Sequence, residues 1–400
     1  MKVLWITNIL FPEVAALNEF KASGGWMLSL AETIIRQDDI QLVVVSVSPL
    51  VKELTFLKGK EITYYLIPTC HKVKKYEPFM RIIKDRIAPD AIHIHGTELP
   101  YGMAYLNACG PDRVVISIQG LISVIARYYC YGLKKSDILR NLTIWADKKD
   151  FIHRGQLEIQ TLSKVSHVIG RTSFDKANVW VISPGAEYHF CNEILRSEFY
   201  EGCWEYDNCV PHTIFLSQAW YPIKGLHQVL KAMPFILTHY PDVQLRIAGS
   251  DITKCLSLKT KIARSSYGMI IRRMIKKYHI EKCITFTGTL RAEEMKQELL
   301  KANLFICPSS IENSSNSLGE AQLLGTPCLA SFVGGIPDMI PNKDCGELYR
   351  FEEIEMLAYK VCDIFEYSKT FDNTVMRQIA AERHDRKTNV ENTLNIYNNL

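Results

Sequence analysis

The feature that most restricts how this chain folds is an alternation: short, mostly apolar runs, each followed by a longer stretch with helical spacing. The first half carries KVLWIT, IQLVVVSVS, ITYYLIP, AIHIHG, RVVISIQG and SHVIG, and the second carries HTIFLSQ, VQLRIAG, CITFTG, NLFIC and PCLAS. A strand that is apolar on both sides must be covered on both faces, as strands of parallel sheets are. Strands of this kind interleaved with helices predict α/β architecture with doubly wound sheets. Four hundred residues exceed what one core usually holds. The pattern breaks at EFYEGCWEYDNCVPH, residues 198–212, where charge, aromatics, Gly and Pro gather. We therefore expect a first domain over 1–205, a second over 206–372, and a helical stretch over 373–400 with no strand to follow it.

Several function classes are disfavoured at once. A net charge of +4 is too small for a nucleic-acid surface, though it suits anionic substrates. No run of eighteen apolar residues exists, and MKVLWITNILFPEV is interrupted by Asn8, Pro12 and Glu13, so it reads as a buried strand rather than a leader. The expected location is the cytoplasm, with a peripheral place at the inner membrane face as the alternative. The 12 cysteines are scattered without a C-x-x-C pair, which indicates neither a disulfide framework nor a zinc ribbon. Neither G-x-G-x-x-G nor a Walker loop is present.

The densest chemistry lies in IENSSNSLGEAQLLGTPCLASFVGGIPD, residues 311–338. NLFIC reads as a buried strand, SLGEAQLLG as a short helix stopped by Gly325, and TPCLAS as the next strand. The loop carrying Glu312 thus leaves the carboxyl end of a parallel strand, where open α/β sheets bind ligands. Amides around Asn313, Ser314, Ser315, Asn316, Ser317 and Leu318 fall at a helix N-terminus, which favours an anion such as phosphate. Ser317-Leu318-Gly319-Glu320 also matches a capping box, a reading in which Glu320 only satisfies the helix's first amides.

Glu312 and Glu320, with LLGTP and GGIPD behind them, resemble the E-x7-E signature of retaining glycosyltransferases of family 4. The resemblance implies the two-domain architecture called GT-B, in which two Rossmann-like doubly wound domains face across a cleft. It further implies an N-terminal acceptor-side domain, a C-terminal domain for the nucleotide sugar, and a last helix returning to the first domain. Glu312 would contact hydroxyls of the donor sugar and Glu320 the ribose. Metal independence is implied too: the nucleotide sugar is a substrate, and no cofactor is expected.

Other positions follow from the same likeness. Gly24 and Gly25, ahead of the helical WMLSLAETIIRQ, resemble the glycine pair set between donor and acceptor. Lys224, beside Gly225, matches the lysine that neutralises the donor diphosphate, but Gln218 stands where the family has arginine. Gln119 stands where members often have histidine. Gly249, Thr289 and Leu290 leave strand ends of the second domain, where base and ribose would lie. His93 and His95 alternate on a strand and so share a face; metal binding by the pair would need further ligands, and His95 with Glu98 is the candidate for the acceptor side.

The expected activity is transfer of a sugar from a nucleotide-diphosphate sugar to a hydroxyl of a glycan or lipid-linked glycan, by analogy in bacterial surface polysaccharide synthesis. An epimerase on the same fold and an inactive sugar-nucleotide-binding scaffold are the alternatives. HKVKKYEPFMRIIKDRI places Phe79, Ile82, Ile83 and Ile87 on one face of a basic helix, and YGMIIRRMIKKYH reads alike. Such helices pack on a sheet with a solvated basic face, or else meet a membrane surface.

Overall fold

A computed structural model describes residues 1–16, 25–37, 39–70, 72–254 and 266–400. Gly24 lies outside the described residues. The chain divides into two compact units: Met1–Val124 with Ile152–Leu195 and His384–Leu400, and Ile125–Phe151 with Arg196–Arg383. The expected limits differ from these in one substantial way. Residues 125–151 pack with the second unit, where His227 Nε2 lies 3.1 Å from the Tyr131 carbonyl and Lys231 donates to that of Gly132.

The first unit contains β1 (Lys2–Thr7), β2 (Gln41–Ser48), β3 (Thr55–Lys58), β4 (Thr63–Pro68), β5 (Ala91–His95), β6 (Val114–Ser117), β7 (His167–Gly170) and β8 (Glu187–Phe190). They form one sheet in the order β3-β4-β2-β1-β5-β6-β7-β8, parallel except for the β3–β4 pair. The order reverses between β1 and β5, so this sheet's ligand crevice is expected at the loops that follow those two strands. The core centres on Trp5, whose indole N–H donates to the Tyr397 hydroxyl at 3.0 Å, tying the last helix, Arg386–Asn398, to β1.

The second unit contains β9 (Val210–Leu216), β10 (Gln244–Ile247), β11 (Ile284–Phe286), β12 (Ala302–Cys307), β13 (Cys328–Ser331) and β14 (Glu347–Tyr349). All its pairs are parallel, in the order β11-β10-β9-β12-β13-β14. This is the doubly wound dinucleotide-fold order, reversing between β9 and β12. Leu226, Val229, Leu230, Met233 and Ile236, at helical spacing, bury one face of the helix Leu226–His239 on this sheet.

The basic helix of the first unit, Val73–Ile87, is rotated from its expected setting. Its buried face is Tyr76, Met80, Ile83 and Ile87, while Ile82 is 41% exposed. Tyr76 decides the rotation, because its hydroxyl is held by the Cys70 backbone. Among the described residues, no helix is long and apolar enough to cross a membrane.

Candidate active site

Because β9 and β12 are neighbours at the reversal point, the loops after them meet, and each brings one charge. Lys224 follows β9 and Glu312 follows β12, and the lysine Nζ is ion-paired with Glu312 Oε1. The approach depends on Gly225, whose φ is +70° and where a Cβ would lie 1.7 Å from the Pro308 carbonyl oxygen. No other residue allows those two backbones to touch. The Ser309 hydroxyl donates to the same Glu312 oxygen at 2.8 Å. Both side chains are largely buried, 19% and 12% exposed. Burial pulls the Lys224 ammonium down, but the Glu312 carboxylate more than offsets this and leaves its pKa above the usual lysine value. Lys224 is therefore a retained cation, not a general base.

The GGIPD turn has a definite task here. Gly334 has a φ of +52°, and a Cβ on it would lie 1.9 Å from the Glu312 carbonyl oxygen. The amide of Gly335 donates to that carbonyl at 3.0 Å. The turn after β13 thus seats the Glu312 loop from the side opposite β9.

Glu320 does not act as a cap. The helix runs Asn316–Leu324, and its N-cap is Ser315, whose hydroxyl accepts from the Leu318 amide. Glu320 instead receives a two-pronged bond from Arg196, Nε to Oε1 and Nη2 to Oε2, each at 2.7 Å. Burial lifts the Glu320 carboxyl above its ordinary value, and the guanidinium opposes the lift. Ser314 and Ser315 are buried, as is Asn313, whose side-chain N–H₂ has no partner among the described residues. Asn316 and Ser317 are half-buried in the first helical turn.

On the far side of β9, a cavity of about 520 Å³ opens at the ends of β10 and β11, lined by Ala219, Trp220, Gly249, Asp251, Phe286 and Thr289 among others. Gly249 and Gly288 close its rim through a bridge at positive φ. Leu290 is half-buried beyond the lining, and Gln218 is exposed in the loop after β9.

The reversal point of the first unit is built differently. Gly25 opens the helix Gly25–Ile34 at a φ of +45°, exposed, with nothing near its absent Cβ. After β5, Gly96 lies against Glu98 and Gln119: a Cβ there would be 3.4 Å from the Glu98 carboxylate and 3.7 Å from Gln119 Oε1. The Gln119 side-chain N–H₂ is buried without a partner among the described residues, and the residue's backbone carbonyl accepts from Arg171. Glu98 is paired with Arg154 at 2.9 Å. His95 does share a face with His93, their rings stacked at 3.8 Å, but it is wholly buried against Trp5. Burial holds its pKa well below the usual histidine value, so it is a neutral core ring and does not line a surface.

Reasoning from sequence missed Arg196, Ser309, Tyr221, Trp220 and Asp251. Trp220 and Asp251 had a signal, since each follows a predicted strand end within a few residues. Tyr221, half-buried beside Lys224 with its ring centroid 6.0 Å from Nζ, had a weaker one. Arg196 had none, because its partner is 124 residues away.

The sequence model described as "Glycosyl transferases group 1" matches residues 211–381, the stretch that holds Lys224, Glu312, Glu320 and the cavity. The chain carries a group 1 glycosyltransferase domain. Around this glycosyltransferase domain the likeness extends further. The chain is 22% identical over 337 residues to the phosphatidylinositol N-acetylglucosaminyltransferase GPI3 subunit of Saccharomyces cerevisiae, covering 81% of this chain and 66% of that protein, just under two thirds of its length. It is 29% identical over 126 residues to a GDP-mannose-dependent phosphatidylinositol monomannoside mannosyltransferase of Corynebacterium glutamicum, covering 30% of this chain and 29% of that one. The fold matches sucrose-phosphate synthase of Thermosynechococcus elongatus with a TM-score of 0.72 at 14% identity, over 100% of this chain and 98% of that one. It also matches the Anabaena protein HepE in complex with UDP and glucose, with a TM-score of 0.68 at 15% identity over 100% of both chains. The fold of the chain is GT-B, with two Rossmann-like units.

Proposed function

We propose that the protein is a retaining glycosyltransferase that moves a sugar from a nucleotide-diphosphate sugar to a hydroxyl of a glycan or lipid-linked glycan. The observation that carries the reading is the Lys224–Glu312 pair at the reversal point of the second sheet, held by two close glycine contacts. A cation and a carboxylate kept side by side at a helix N-terminus suit a donor that presents a diphosphate next to sugar hydroxyls. The cavity beside β9 has the size and apolar lining for a base, and Asp251 at its rim suits a ribose hydroxyl.

In the proposed reaction the acceptor oxygen bonds to C1 of the sugar as the C1–phosphate oxygen bond breaks on the same face. The acceptor proton passes to the departing phosphate oxygen, so no histidine base is required. Charge growing on the diphosphate meets Lys224 and the amides at the start of Asn316–Leu324, and Glu312 orients the sugar. In this reading the chain's own groups supply the charge stabilisation, and no metal enters the step. Titrating the protein with UDP, GDP, ADP and CMP and their sugar conjugates tests it. A nucleotide at 100 times its Kd stabilises by about 2.7 kcal/mol, several degrees of melting temperature. The expected outcome is a shift with one base class that shrinks in Lys224→Ala. Absence of any shift from folded protein counts against the reading. Gln218 and Gln119 favour one second reading, a sugar-nucleotide-binding protein without turnover, which binding without transfer across an acceptor panel would bring forward.

A further inference from the structure

At the amino ends of β7 and β8, opposite the end where Gly96 and Gln119 lie, the first unit gathers three ligating side chains that the proposed reaction does not use. The register pairs His167 with Glu187 and Ile169 with His189. Residues two apart on a strand share a face, so Glu187 and His189 project together beside His167. His167 Nδ1 lies 3.0 Å from His189 Nε2, and the rings are nearly parallel, 16° apart with centroids 5.3 Å apart. The Glu187 carboxylate reaches within 3.7 Å of the His167 ring nitrogen and 3.8 Å of His189 Nδ1. One ligand atom from each residue lies within 4.8 Å of the other two.

We propose that His167, Glu187 and His189 bind one divalent transition ion of the zinc class and so fasten the edge strand β8 to β7. Zinc–nitrogen bonds of 2.0–2.1 Å at a tetrahedral angle set two nitrogens about 3.3 Å apart. The imidazole pair already has nearly that spacing, and the ion takes the place of the proton that the two nitrogens share. Two imidazoles and one carboxylate suit a borderline ion and poorly suit magnesium or calcium, which prefer all-oxygen shells. Glu187 is 67% exposed while the rings are 24% and 13% exposed, so an ion has an entry side and a rigid side. Three protein ligands leave a fourth position for water. The role is structural: β8 is four residues long at the sheet edge, where pairing is weakest.

The test is Co²⁺ and Zn²⁺ titration of the full chain, since cobalt reports its own coordination in the visible spectrum. One equivalent of Co²⁺ should give ligand-field bands of a low-coordinate nitrogen and oxygen site, displaced by one equivalent of Zn²⁺. Zn²⁺ should raise the melting temperature by several degrees. His167→Gln and His189→Gln keep a hydrogen-bonding amide between the strands. Each should weaken binding at least about tenfold, the scale on which even outer partners of a site count. Stoichiometric binding that survives in both variants, sulfur-to-cobalt charge transfer from any of the 12 cysteines in place of that spectrum, or no stoichiometric binding by the wild type would overturn the proposal.

Discussion

The reversal points of the two sheets are the same construction with different contents. In the second unit, the loops after β9 and β12 place a lysine against a glutamate, with glycines at 225 and 334 that bring backbones into contact. In the first, the loops after β1 and β5 offer Gly25, Gly96 and a carboxylate already claimed by Arg154, and the histidine of β5 is sunk beneath Trp5. Fold order determines where a crevice forms, but only charge held ready at that crevice gives it chemistry. On this comparison the second unit holds a lysine and a glutamate against each other at its reversal point, and the first holds glycines and a buried amide at its own.

Breaking the charged side should therefore cost most. Lys224→Ala is expected to lower transfer on the order of 10²- to 10³-fold, as loss of one preorganised donor does, beyond the stability it loses by leaving Glu312 with the Ser309 hydroxyl alone. Steady-state kinetics on the donor identified by nucleotide titration checks this; a kcat within a few-fold of wild type removes Lys224 from the reaction. The next effect is on stability. Arg196→Ala strands the Glu320 carboxylate, 4% exposed, without its cation. Removing one partner of a buried pair costs about 3–5 kcal/mol. With Arg196 itself 27% exposed, the lower end applies, about 3 kcal/mol. Urea unfolding measures it, and a loss below about 1 kcal/mol would place the pair in the class of surface salt bridges.

Much of this was legible in the sequence, and the exceptions share a cause. The strands read from apolar runs are present, whereas β3, β8 and β14 were not read, and all three are edge strands. An edge strand is covered on fewer sides, so TFLK and EYHF show half-exposed patterns in place of apolar runs, while ELY is only three residues long and opens on a charged Glu347. Within the site, Glu312 was singled out by its place after a strand and Lys224 by the family resemblance, and the structure sets the two side by side. The helix start was not readable, because Asn313 through Ser317 are all good capping residues and local sequence cannot choose among them. Ser315 holds that place because the helix begins where Leu318 turns into the core.

A smaller effect separates the units by pH. Burial pushes His93 in the first unit and His227 in the second down to about 3, and lowers His95 as well. The unfolded chain takes up these protons first, near pH 6.5, so the stability they confer is complete above that value and falls as pH drops from about 6.5 towards 3. At pH 5 each such histidine costs about 2 kcal/mol. Holding two of the three, the first unit should lose protection sooner, read as faster hydrogen exchange in β5 than in β9 between pH 7 and pH 5 after correction for intrinsic rates. His93→Gln should recover about 2 kcal/mol of that loss. Equal losses in the two units would mean that carboxylates dominate the acid response.

The smallest expected change adds charge where this chain lacks it. Gln218 is exposed in the loop after β9, six residues before Lys224. Gln218→Arg puts a second cation at the same reversal point. At so solvated a position an added ion pair contributes about 0.2–1 kcal/mol, a tightening of nucleoside-diphosphate binding of up to about fivefold. Because the contribution is screened, it should largely disappear between about 0.05 and 0.5 M salt, whereas the buried Lys224 contribution should persist. A gain that ignores salt would mean that arginine bonds the ligand directly from a sheltered position. No gain at any salt would mean that position 218 points away from the diphosphate, leaving Lys224 to carry the charge with the helix N-terminus alone.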